Sequence, residues 1–587
     1  MFEQVLDPVA GSVGVSALIA VLPLLTLFIM LGLLKIKAWI AGLASLAVAL
    51  LVAIVFYGMP VDQALLSGTE GAAFGFFPIM WIVLNAIWVY NLTVTTGHFD
   101  VLRRSFEKVS PDQRIQAIII AFCFGALLEA LAGFGTPVAI TVVMLMAMGF
   151  QPVKAAAVAL IANTAPVAFG ALATPIVTLS AVTSGVNDDS GLTVDTLGGM
   201  VGRQTPILAV IVPLVLVFVV DGRRGVRQAW LPALVCGVAF GVAQFVAANY
   251  ISVPLADIIA ALVSAAAVVG LLRVWQPVES PALAEPPRAT SAVRDREPAR
   301  TGDADAPGTE RPATGVGTDR PASGVVLERG DTDPPLRDSG AEVVKAYAPY
   351  LIIILVFTIA NLGPVKTALG VEPWTYKFAW PGLHVFARGA TEPLASTTYN
   401  FNWLPAAGTL MIVAGILTAL VLRVSVGRAL KAYAQTYSEL KWAILTVMAV
   451  LALAYVMNQS GQTSTLGAFL AGTGSFFAFL SPILGWIGVA VTGSDTSSNA
   501  LFGALQVQTA ASAGLDPVLL AAANSSGGVL GKMVSPQNLA IAAAAVGMAG
   551  KEGEIFRKVF GWSLLLLLFM CVIVVLQATP VLGWMVP

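Results

Sequence analysis

Long, nearly uncharged apolar stretches recur along this 587-residue chain and constrain its fold more than any other feature. A helix needs about 20 such residues to cross the hydrocarbon core of a bilayer. The stretches that approach this length lie at 13–34, 39–57, 73–93, 206–220, 229–248, 253–274, 346–363, 404–422, 442–458 and 559–581. The sequence therefore predicts an all-α polytopic membrane protein.

The composition excludes several other classes of protein. Only 11% of the residues are charged, against about a quarter in soluble proteins. The formal net charge of −1 gives no field that would attract a nucleic acid. Three cysteines and two histidines are too few for a disulfide framework or a multi-histidine metal site, and we expect no cofactor. No nucleotide-binding or hydrolase motif occurs, so we predict that the chain is not an enzyme.

One segment departs from this apolar pattern. Between Gln276 and Lys345 lie 21 of the 65 charged residues, together with many Pro, Gly, Ala and Thr residues. Such a segment cannot bury enough apolar surface to offset its chain entropy. The sequence predicts a disordered linker over 276–344.

Basic residues between the apolar stretches predict the orientation. They lie at Lys35, Lys37, Arg103, Arg104, Lys108, Arg114, Arg223, Arg224, Arg227, Arg423, Arg428, Lys431, Lys551, Arg557 and Lys558. Because cytoplasmic loops carry the excess of Lys and Arg, this distribution places both termini outside and the linker in the cytoplasm. The first stretch has no basic region before it and is predicted to be a retained helix in the inner membrane.

Two further apolar stretches, 115–184 and 483–549, are interrupted by clusters of Gly, Pro, Ser, Thr and Asn. Irregular backbone at membrane depth is tolerated only where protein or a watery cavity surrounds it. We predict a re-entrant hairpin followed by a broken transmembrane helix in each. The hairpins are expected at about 115–149 and 483–513, and the broken helices at about 152–184 and 517–549.

An internal repeat relates the two interrupted stretches. Asn163-Thr164, Gly170 and Thr174-Pro175 match Asn524-Ser525, Gly531 and Ser535-Pro536 at the same spacing. The predicted orientations of the flanking spans make the two units antiparallel, a pattern typical of secondary transporters. We predict two inverted repeats, 1–222 and 345–587, joined by two helices in 223–275 and the linker, with about 12 transmembrane helices plus the two hairpins.

Polar side chains cluster at the predicted breaks and suit a small hydroxylated anion. Helix N-termini favour a carboxylate, and hydroxyl and amide groups bind both a carboxylate and a hydroxyl. The candidate substrate-binding residues are Thr136, Asn163, Thr164, Ser494, Thr496, Ser497, Ser498, Asn499, Asn524, Ser525, Lys532 and Ser535, with Thr174 and Ser526 nearby.

Three ionisable residues, Glu129, Asp495 and Lys532, fall deep inside these elements, where a charge costs about 2.5–3.5 kcal/mol. The carboxylates are candidates for proton coupling, and Lys532 is a candidate partner of the substrate carboxylate. A purely structural ion pair among the three is the alternative. Glu70 is expected at the membrane interface, and Asp257 near a helix start, where a dipole role suffices.

Several longer motifs resemble the bacterial L-lactate permease family. They are Phe122–Glu129, Gly133–Ile140, Asn163–Gly170, Thr492–Phe502 and Gly527–Gln537. The similarity covers nearly the whole chain except about 276–340. The resemblance implies a plasma-membrane symporter that couples protons to L-lactate, D-lactate and glycolate, with Lys532 and the loop 494–499 at or near the site.

We therefore expect a secondary transporter with alternating access, in which the hairpins favour an elevator motion. Its expected partners are a small carboxylate, protons and the lipid bilayer, and a homodimer is left open. A Na⁺-coupled di- or tricarboxylate carrier is the alternative. A membrane-embedded enzyme or channel is a third hypothesis, for which the two histidines offer little chemistry.

Overall fold

The structure, a computed structural model, describes residues 2–133, 135–184, 186, 191–277, 338–387 and 391–587. Most of the predicted linker, from 278 to 337, lies outside these residues. The described chain resumes at Asp338, whose carboxylate forms an ion pair with Arg104 at 2.6 Å. Hydrogen bonding to this guanidinium holds the pKa of Asp338 below its usual value.

The first half is a succession of helices. They span Val13–Leu33, Ala38–Val55, Val61–Thr95, His98–Glu107, Gln113–Leu131, Thr136–Ala147, Pro152–Ala162, Gly170–Thr183, Val194–Ile251 and Val253–Leu272. In the second half the helices span Gly340–Asn361, Gly363–Leu369, Ala407–Val421, Val426–Gln459, Gln462–Ala471, Phe477–Thr492, Asp495–Ala513, Pro517–Gly531, Pro536–Ala545 and Glu552–Gln577.

The apolar helices confirm a multi-pass membrane protein. Ten helices of the described chain are long and apolar enough to cross a membrane, and Pro152–Ala162 with Val167–Thr183 adds an eleventh if that bent pair is one span. Val194–Ile251 would be about 87 Å long at 1.5 Å per residue, far beyond the ~30 Å hydrocarbon core. Non-helical backbone at Asp221 and Gly222 divides it into two crossing helices, in agreement with the two predicted spans.

Helix Val61–Thr95 extends the predicted span 73–93 at its start. The helix begins at Val61, so Glu70 lies inside it and does not precede it. The side chain is fully buried and accepts a hydrogen bond from Gln459 Nε2 at 2.7 Å. Sequence hydropathy missed this segment because polar residues such as Glu70 and Ser67 interrupt it, although they face protein rather than lipid.

The span after the linker also begins earlier than predicted. The helix starts at Gly340, whereas the apolar pattern starts at 346 and the linker was expected to reach 344. Ser339 and Glu342 form a capping box, in which each side chain accepts a hydrogen bond from the backbone of the other residue. This cap extends the helix through polar residues that the hydropathy pattern assigns to the linker.

Helix–turn–helix pairs occur at both predicted hairpin positions. The first hairpin consists of Gln113–Leu131 and Thr136–Ala147, and the second of Phe477–Thr492 and Asp495–Ala513. Glycines with positive φ occupy the turns, Gly133 and Gly135 in the first and Gly493 in the second. This left-handed backbone costs glycine little, because glycine has no Cβ.

Interrupted helices follow each hairpin. The first broken helix joins Pro152–Ala162 to Gly170–Thr183 with a bend of 63°. The second joins Pro517–Gly531 to Pro536–Ala545 through the short turn Lys532–Val534. Pro536 stands in the first turn of its helix, where the missing N–H group costs nothing.

Short strands are an addition to the expected all-α fold. Phe2–Glu3 pairs in parallel with Val385–Phe386, and Tyr376–Ala379 pairs antiparallel with Thr398–Phe401. The first pair ties the N-terminus to the loop between Gly363–Leu369 and Ala407–Val421, and the second pair lies within that loop. Strands of two to four residues leave no periodicity that the sequence could reveal.

Candidate functional site

The two interrupted units contact each other in a crossed arrangement. Asn499 of the second hairpin donates a hydrogen bond from Nδ2 to the Pro175 carbonyl of the first broken helix at 3.1 Å. Conversely, the turn of the first hairpin packs at Gly135 against Asn538 and Ile541 of the second broken helix. Each hairpin therefore meets the broken helix of the other half of the chain.

A cavity of about 140 Å³ lies where these four elements meet. Ligand sites for drug-sized molecules are usually ~300–1,000 Å³, so this cavity suits a much smaller solute. Its polar and ionised lining residues are Glu129, Thr174, Thr446, Thr492, Ser494, Asp495, Thr496, Ser497, Lys532, Gln537 and Asn538. Gly133 and Gly493 line it as well, so the turns of both hairpins reach the same cavity.

Lys532 and Glu129 form an ion pair at the cavity wall. Lys532 Nζ donates to Glu129 Oε1 at 2.5 Å, and the side chains are only 8% and 3% exposed. The second Glu129 oxygen, Oε2, has no hydrogen-bond partner among the described residues. Buried charges persist only when they are paired. The sequence left two roles open for Lys532, as a partner of the substrate carboxylate or as a member of an ion pair. The structure contains an ion pair between Lys532 and Glu129.

Gly170 explains how Glu129 fits at the break of the first broken helix. A Cβ atom at this position would lie 2.7 Å from Glu129 Oε1, closer than real Cβ contacts allow. The three residues after it, Ala171, Leu172 and Ala173, all have left-handed backbone with φ of 44–58°. Each such residue costs roughly 1–2 kcal/mol when it is not glycine. Strain of this kind is typical of functional sites.

Asp495 is held by a separate hydrogen-bond network. Ser525 Oγ donates to Asp495 Oδ2 at 2.5 Å, and Asn499 Nδ2 approaches the same oxygen at 3.4 Å. Asn524 Nδ2 in turn donates to Asn499 Oδ1 at 2.9 Å. Asp495 Oδ1 has no partner among the described residues. The network fixes the carboxylate and leaves one oxygen for another donor.

Two helix N-termini border the cavity. Ser494 caps Asp495–Ala513 by accepting a hydrogen bond from Ser497 N at 3.3 Å. Ser535 caps Pro536–Ala545 by accepting one from Asn538 N at 3.4 Å. The positive end of each helix dipole and its N–H groups favour an anion in the cavity.

The predicted site residues therefore divide into two groups. Those that line the cavity are Glu129, Ser494, Asp495, Thr496, Ser497 and Lys532. Those that do not are Thr136, Asn163, Thr164, Ser498, Asn499, Asn524, Ser525 and Ser535.

The members of the second group differ in their hydrogen bonding. Ser498 Oγ donates to the Gly485 carbonyl at 3.0 Å and joins the two helices of the second hairpin. Thr164 Oγ1 donates back to the Ile161 carbonyl of its own helix at 2.7 Å. Asn163 is buried, and neither its amide nitrogen nor its oxygen has a partner among the described residues.

Several lining residues escaped the sequence analysis. Gln537 and Asn538 follow Pro536 in the first turn of a half-helix, so the break itself could have indicated them. Thr492 ends the helix before the Gly493 turn and bonds to the Ser494 carbonyl at 3.1 Å. Thr446 lies within the uninterrupted helix Val426–Gln459, and no sequence signal points to it.

Comparison with known proteins identifies the family. The L-lactate permease family matches residues 16–581. The L-lactate permease of Bacillus subtilis (strain 168) is 40% identical over 602 residues, covering all of both chains. The glycolate permease GlcA of Escherichia coli (strain K12) is 40% identical over 585 residues, with 98% of each chain covered. These relatives are permeases and not enzymes.

Among solved structures, the Alcanivorax borkumensis YdaH transporter is similar with a TM-score of 0.40 and 13% identity, over 84% of each chain. With so low a TM-score and identity, we infer nothing about this chain from that structure. The family match and the full-length relatives are decisive instead, since both extend over the hairpins, the broken helices and the cavity they enclose. The chain belongs to the L-lactate permease family.

Proposed function

We propose that this protein imports L-lactate and related 2-hydroxymonocarboxylates, namely D-lactate and glycolate, together with protons. The observation that carries the proposal is the Lys532–Glu129 pair in the wall of a small cavity. A cation paired with a protonatable carboxylate can exchange that partner for the carboxylate of a substrate. Relatives named L-lactate permease and glycolate permease support this substrate class.

Charge balance links substrate binding to a proton. In the empty site, Lys532 neutralises Glu129. When a substrate carboxylate pairs with Lys532, Glu129 is left without a cation. Glu129 is buried, and an unpaired buried charge is costly. Protonation of Glu129 restores neutrality, so the loaded site carries one substrate anion and one proton. The Ser and Thr hydroxyls around the cavity are then available for the 2-hydroxyl group.

Alternating access between the two membrane faces is part of the proposal. The crossed contacts between hairpins and broken helices support it, as does the matched packing of other elements. Helix His98–Glu107 packs on Gly340–Asn361, and its counterpart Gln462–Ala471 packs on Val13–Ala20. Such exchanged partners are expected if 1–222 and 345–587 are inverted repeats with re-entrant hairpins.

The orientation follows from the basic loops and stays a prediction. It places both termini outside the inner membrane and the linker 276–344 in the cytoplasm. Accessibility of single cysteines at the termini to an impermeant thiol reagent tests it. Association of two copies is a separate prediction, which light scattering of the purified protein tests.

The Na⁺-coupled di- or tricarboxylate carrier is less well supported by the charges. Among the described residues that line the cavity, Lys532 is the single cation. A second substrate carboxylate would therefore enter a site that already holds Glu129 and Asp495 without a further positive partner. The cavity volume of about 140 Å³ also favours the smaller substrates.

Uptake by proteoliposomes tests the proposal. An inside-alkaline gradient of about one pH unit should sustain about tenfold L-lactate accumulation in one-to-one symport, since both amount to ~1.36 kcal/mol. A Na⁺ gradient should sustain none, and succinate should not compete with lactate while glycolate should. Accumulation driven by Na⁺ alone would overturn proton coupling.

Glu129→Gln is the matching variant. It should retain lactate exchange between the two sides but lose accumulation driven by the pH gradient, because an amide binds no additional proton. Glu70→Gln provides a control, since Glu70 is equally buried but bonds to Gln459. This bond lies away from the cavity, because Gln459 is about 18 Å along its helix from the cavity residue Val447. Unchanged accumulation by Glu129→Gln would remove Glu129 from the coupling role.

A further inference from the structure

An apolar groove with a single charged end lies on the two crossing helices of Val194–Ile251. It has a volume of about 610 Å³ and shares no lining residue with the cavity between the hairpins. Its walls include Ile207, Val210, Val238, Val242 and Phe245. Arg203 is the one charged residue among the described residues that line this groove, which we call the Arg203 groove.

Glycines bring the two crossing helices close together and form the floor of the groove. A Cβ atom at Gly241 would lie 3.0 Å from the Pro206 carbonyl oxygen, and one at Gly237 would lie 2.7 Å from Val210 Cα. The side chain of Val242, beside this close contact, is exposed. The Arg203 groove is therefore apolar and open towards the bilayer.

The guanidinium group of Arg203 is held in place by neutral acceptors. Nε donates to Asn249 Oδ1 at 3.1 Å, and Nη1 donates to the Met585 carbonyl at 2.7 Å. Among the described residues, no carboxylate forms an ion pair with Arg203, and Nη2 makes no hydrogen bond. A fixed cation with unused N–H donors therefore closes one end of the groove and can bind an anion.

Aromatic residues place this charged end at the level of the lipid headgroups. Tyr250 and Trp584 stand next to the two residues that bind Arg203, and their side chains are 74% and 76% exposed. Tyr and Trp concentrate at membrane interfaces, and Arg203 lies three residues before the apolar stretch 206–220. From there the groove follows its helix from Phe245 to Val238, about 10 Å into the hydrocarbon region.

A second apolar groove lies on the other side of the same helix. It has a volume of about 710 Å³ and is lined by Leu234, Val246, Ile259 and Val263, together with Val238 and Val242. Because Val238 and Val242 line both grooves, they form a ridge between them. The face therefore offers two parallel apolar grooves beside one cation.

We propose that this face binds one anionic phospholipid, with its phosphate on Arg203 and one acyl chain on each side of the Val238–Val242 ridge. The planar guanidinium group matches a phosphate in charge and geometry. A second copy of the chain is a poorer occupant. Two copies in the same membrane orientation carry Arg203 at the same depth, so their contact over this face would bring two cations together. The inference does not depend on the proposed transport chemistry.

Thermal unfolding of the purified protein in detergent, titrated with lipid, tests the proposal. Dioleoylphosphatidylglycerol should stabilise the wild type at lower concentrations than dioleoylphosphatidylcholine, which has the same chains and no net charge. Glycerol phosphate, which has the anion and no chains, should not stabilise it at these concentrations. Stabilisation by glycerol phosphate equal to that by phosphatidylglycerol would show a site for a free anion and overturn the lipid assignment.

Substitutions separate the headgroup contact from the grooves. Arg203→Gln should weaken phosphatidylglycerol binding about fivefold, the effect expected of one basic residue on an anionic lipid, and leave phosphatidylcholine binding unchanged. Arg203→Lys should retain the preference for the anionic lipid. Arg273→Gln, at an exposed position at the opposite end of Ala256–Leu272, is the matched control and should bind both lipids as the wild type does. Val242→Trp, which fills the grooves, should weaken the binding of both lipids.

Equal affinity of the wild type for the two lipids, or unchanged phosphatidylglycerol binding by Arg203→Gln, would overturn the inference. Native mass spectrometry counts the lipid molecules that each variant retains and replaces the unfolding assay for a variant of low stability. Light scattering tests the other occupant. A dimeric wild type that becomes monomeric in Val242→Trp would assign the face to a second copy and contradict the lipid site.

Discussion

Replacing Lys532 by glutamine should destabilise the protein strongly, because Glu129 then loses its cation. The two side chains are 8% and 3% exposed, and their charged atoms are 2.5 Å apart. Removing one member of such a buried pair usually costs about 3–5 kcal/mol, since the other charge stays buried. The adjoining cavity of about 140 Å³ admits some water, which places the expected loss near ~3 kcal/mol.

Adding Glu129→Gln to Lys532→Gln should restore most of the lost stability. In the double variant Lys532→Gln/Glu129→Gln, two neutral amides replace the ions and can hydrogen-bond to each other. Replacement of a whole buried ion pair by well-packed hydrophobic residues of similar volume is often neutral for stability, and two paired amides likewise leave no buried charge. We therefore expect the double variant to lie within about 1 kcal/mol of the wild type, although both variants should bind lactate poorly.

Tryptophan fluorescence during denaturant unfolding in detergent measures these differences. Lys551→Gln, at an exposed helix end, is the matched control and should leave stability unchanged. Substrate binding is measured in parallel by protection against unfolding. Additive losses in the double variant would refute the coupling between the two side chains, and full lactate binding without Lys532 would refute its role toward the substrate.

Three further predictions concern neighbouring features. Gly170→Ala should abolish transport because its Cβ would displace Glu129 Oε1, whereas Gly553→Ala, with open space around it, should have no effect on lactate uptake. Asp495→Asn should keep substrate exchange and lose pH-driven accumulation; normal accumulation in vesicles would exclude Asp495 from proton coupling. Cys123 and Cys236, with sulfur atoms 3.5 Å apart, join the first hairpin to a connecting helix. If the hairpin moves against that helix during transport, a membrane-permeant oxidant that cross-links the two cysteines should block lactate uptake reversibly. Uptake that is unaffected by a complete cross-link would contradict an elevator motion of the hairpin against this helix.

Sequence patterns predicted the elements that interrupt the membrane helices because those interruptions have a direct chemical cause. Backbone groups freed by Gly135 or Pro536 cannot face lipid, so their presence in apolar stretches indicates a protected site. The same reasoning selected Glu129, Asp495 and Lys532, and all three line one cavity. Their pairing could not be predicted, because it depends on how two distant segments meet in space.

The misplaced residues show where hydropathy fails. Glu70 was placed before its span because polar residues shorten the apparent apolar stretch, whereas the helix includes Glu70 and buries it against Gln459. Asn499, Asn524 and Ser525 are candidate substrate ligands by their sequence positions, and in the structure they form the hydrogen-bond network around Asp495 and do not line the cavity. A polar residue near a break can face the cavity or support a neighbour, and one-dimensional spacing does not distinguish these positions.

A structure determined with L-lactate bound tests the central claim most directly. We predict that the lactate carboxylate lies within hydrogen-bond distance of Lys532 Nζ, in the cavity between the two hairpin turns, and that Glu129 has moved away from Lys532. The hydroxyl group should face Ser494, Thr496 or Ser497. Lactate bound elsewhere, or bound in the cavity with the Lys532–Glu129 pair intact, would contradict the exchange of ion-pair partners on which the proposed transport depends.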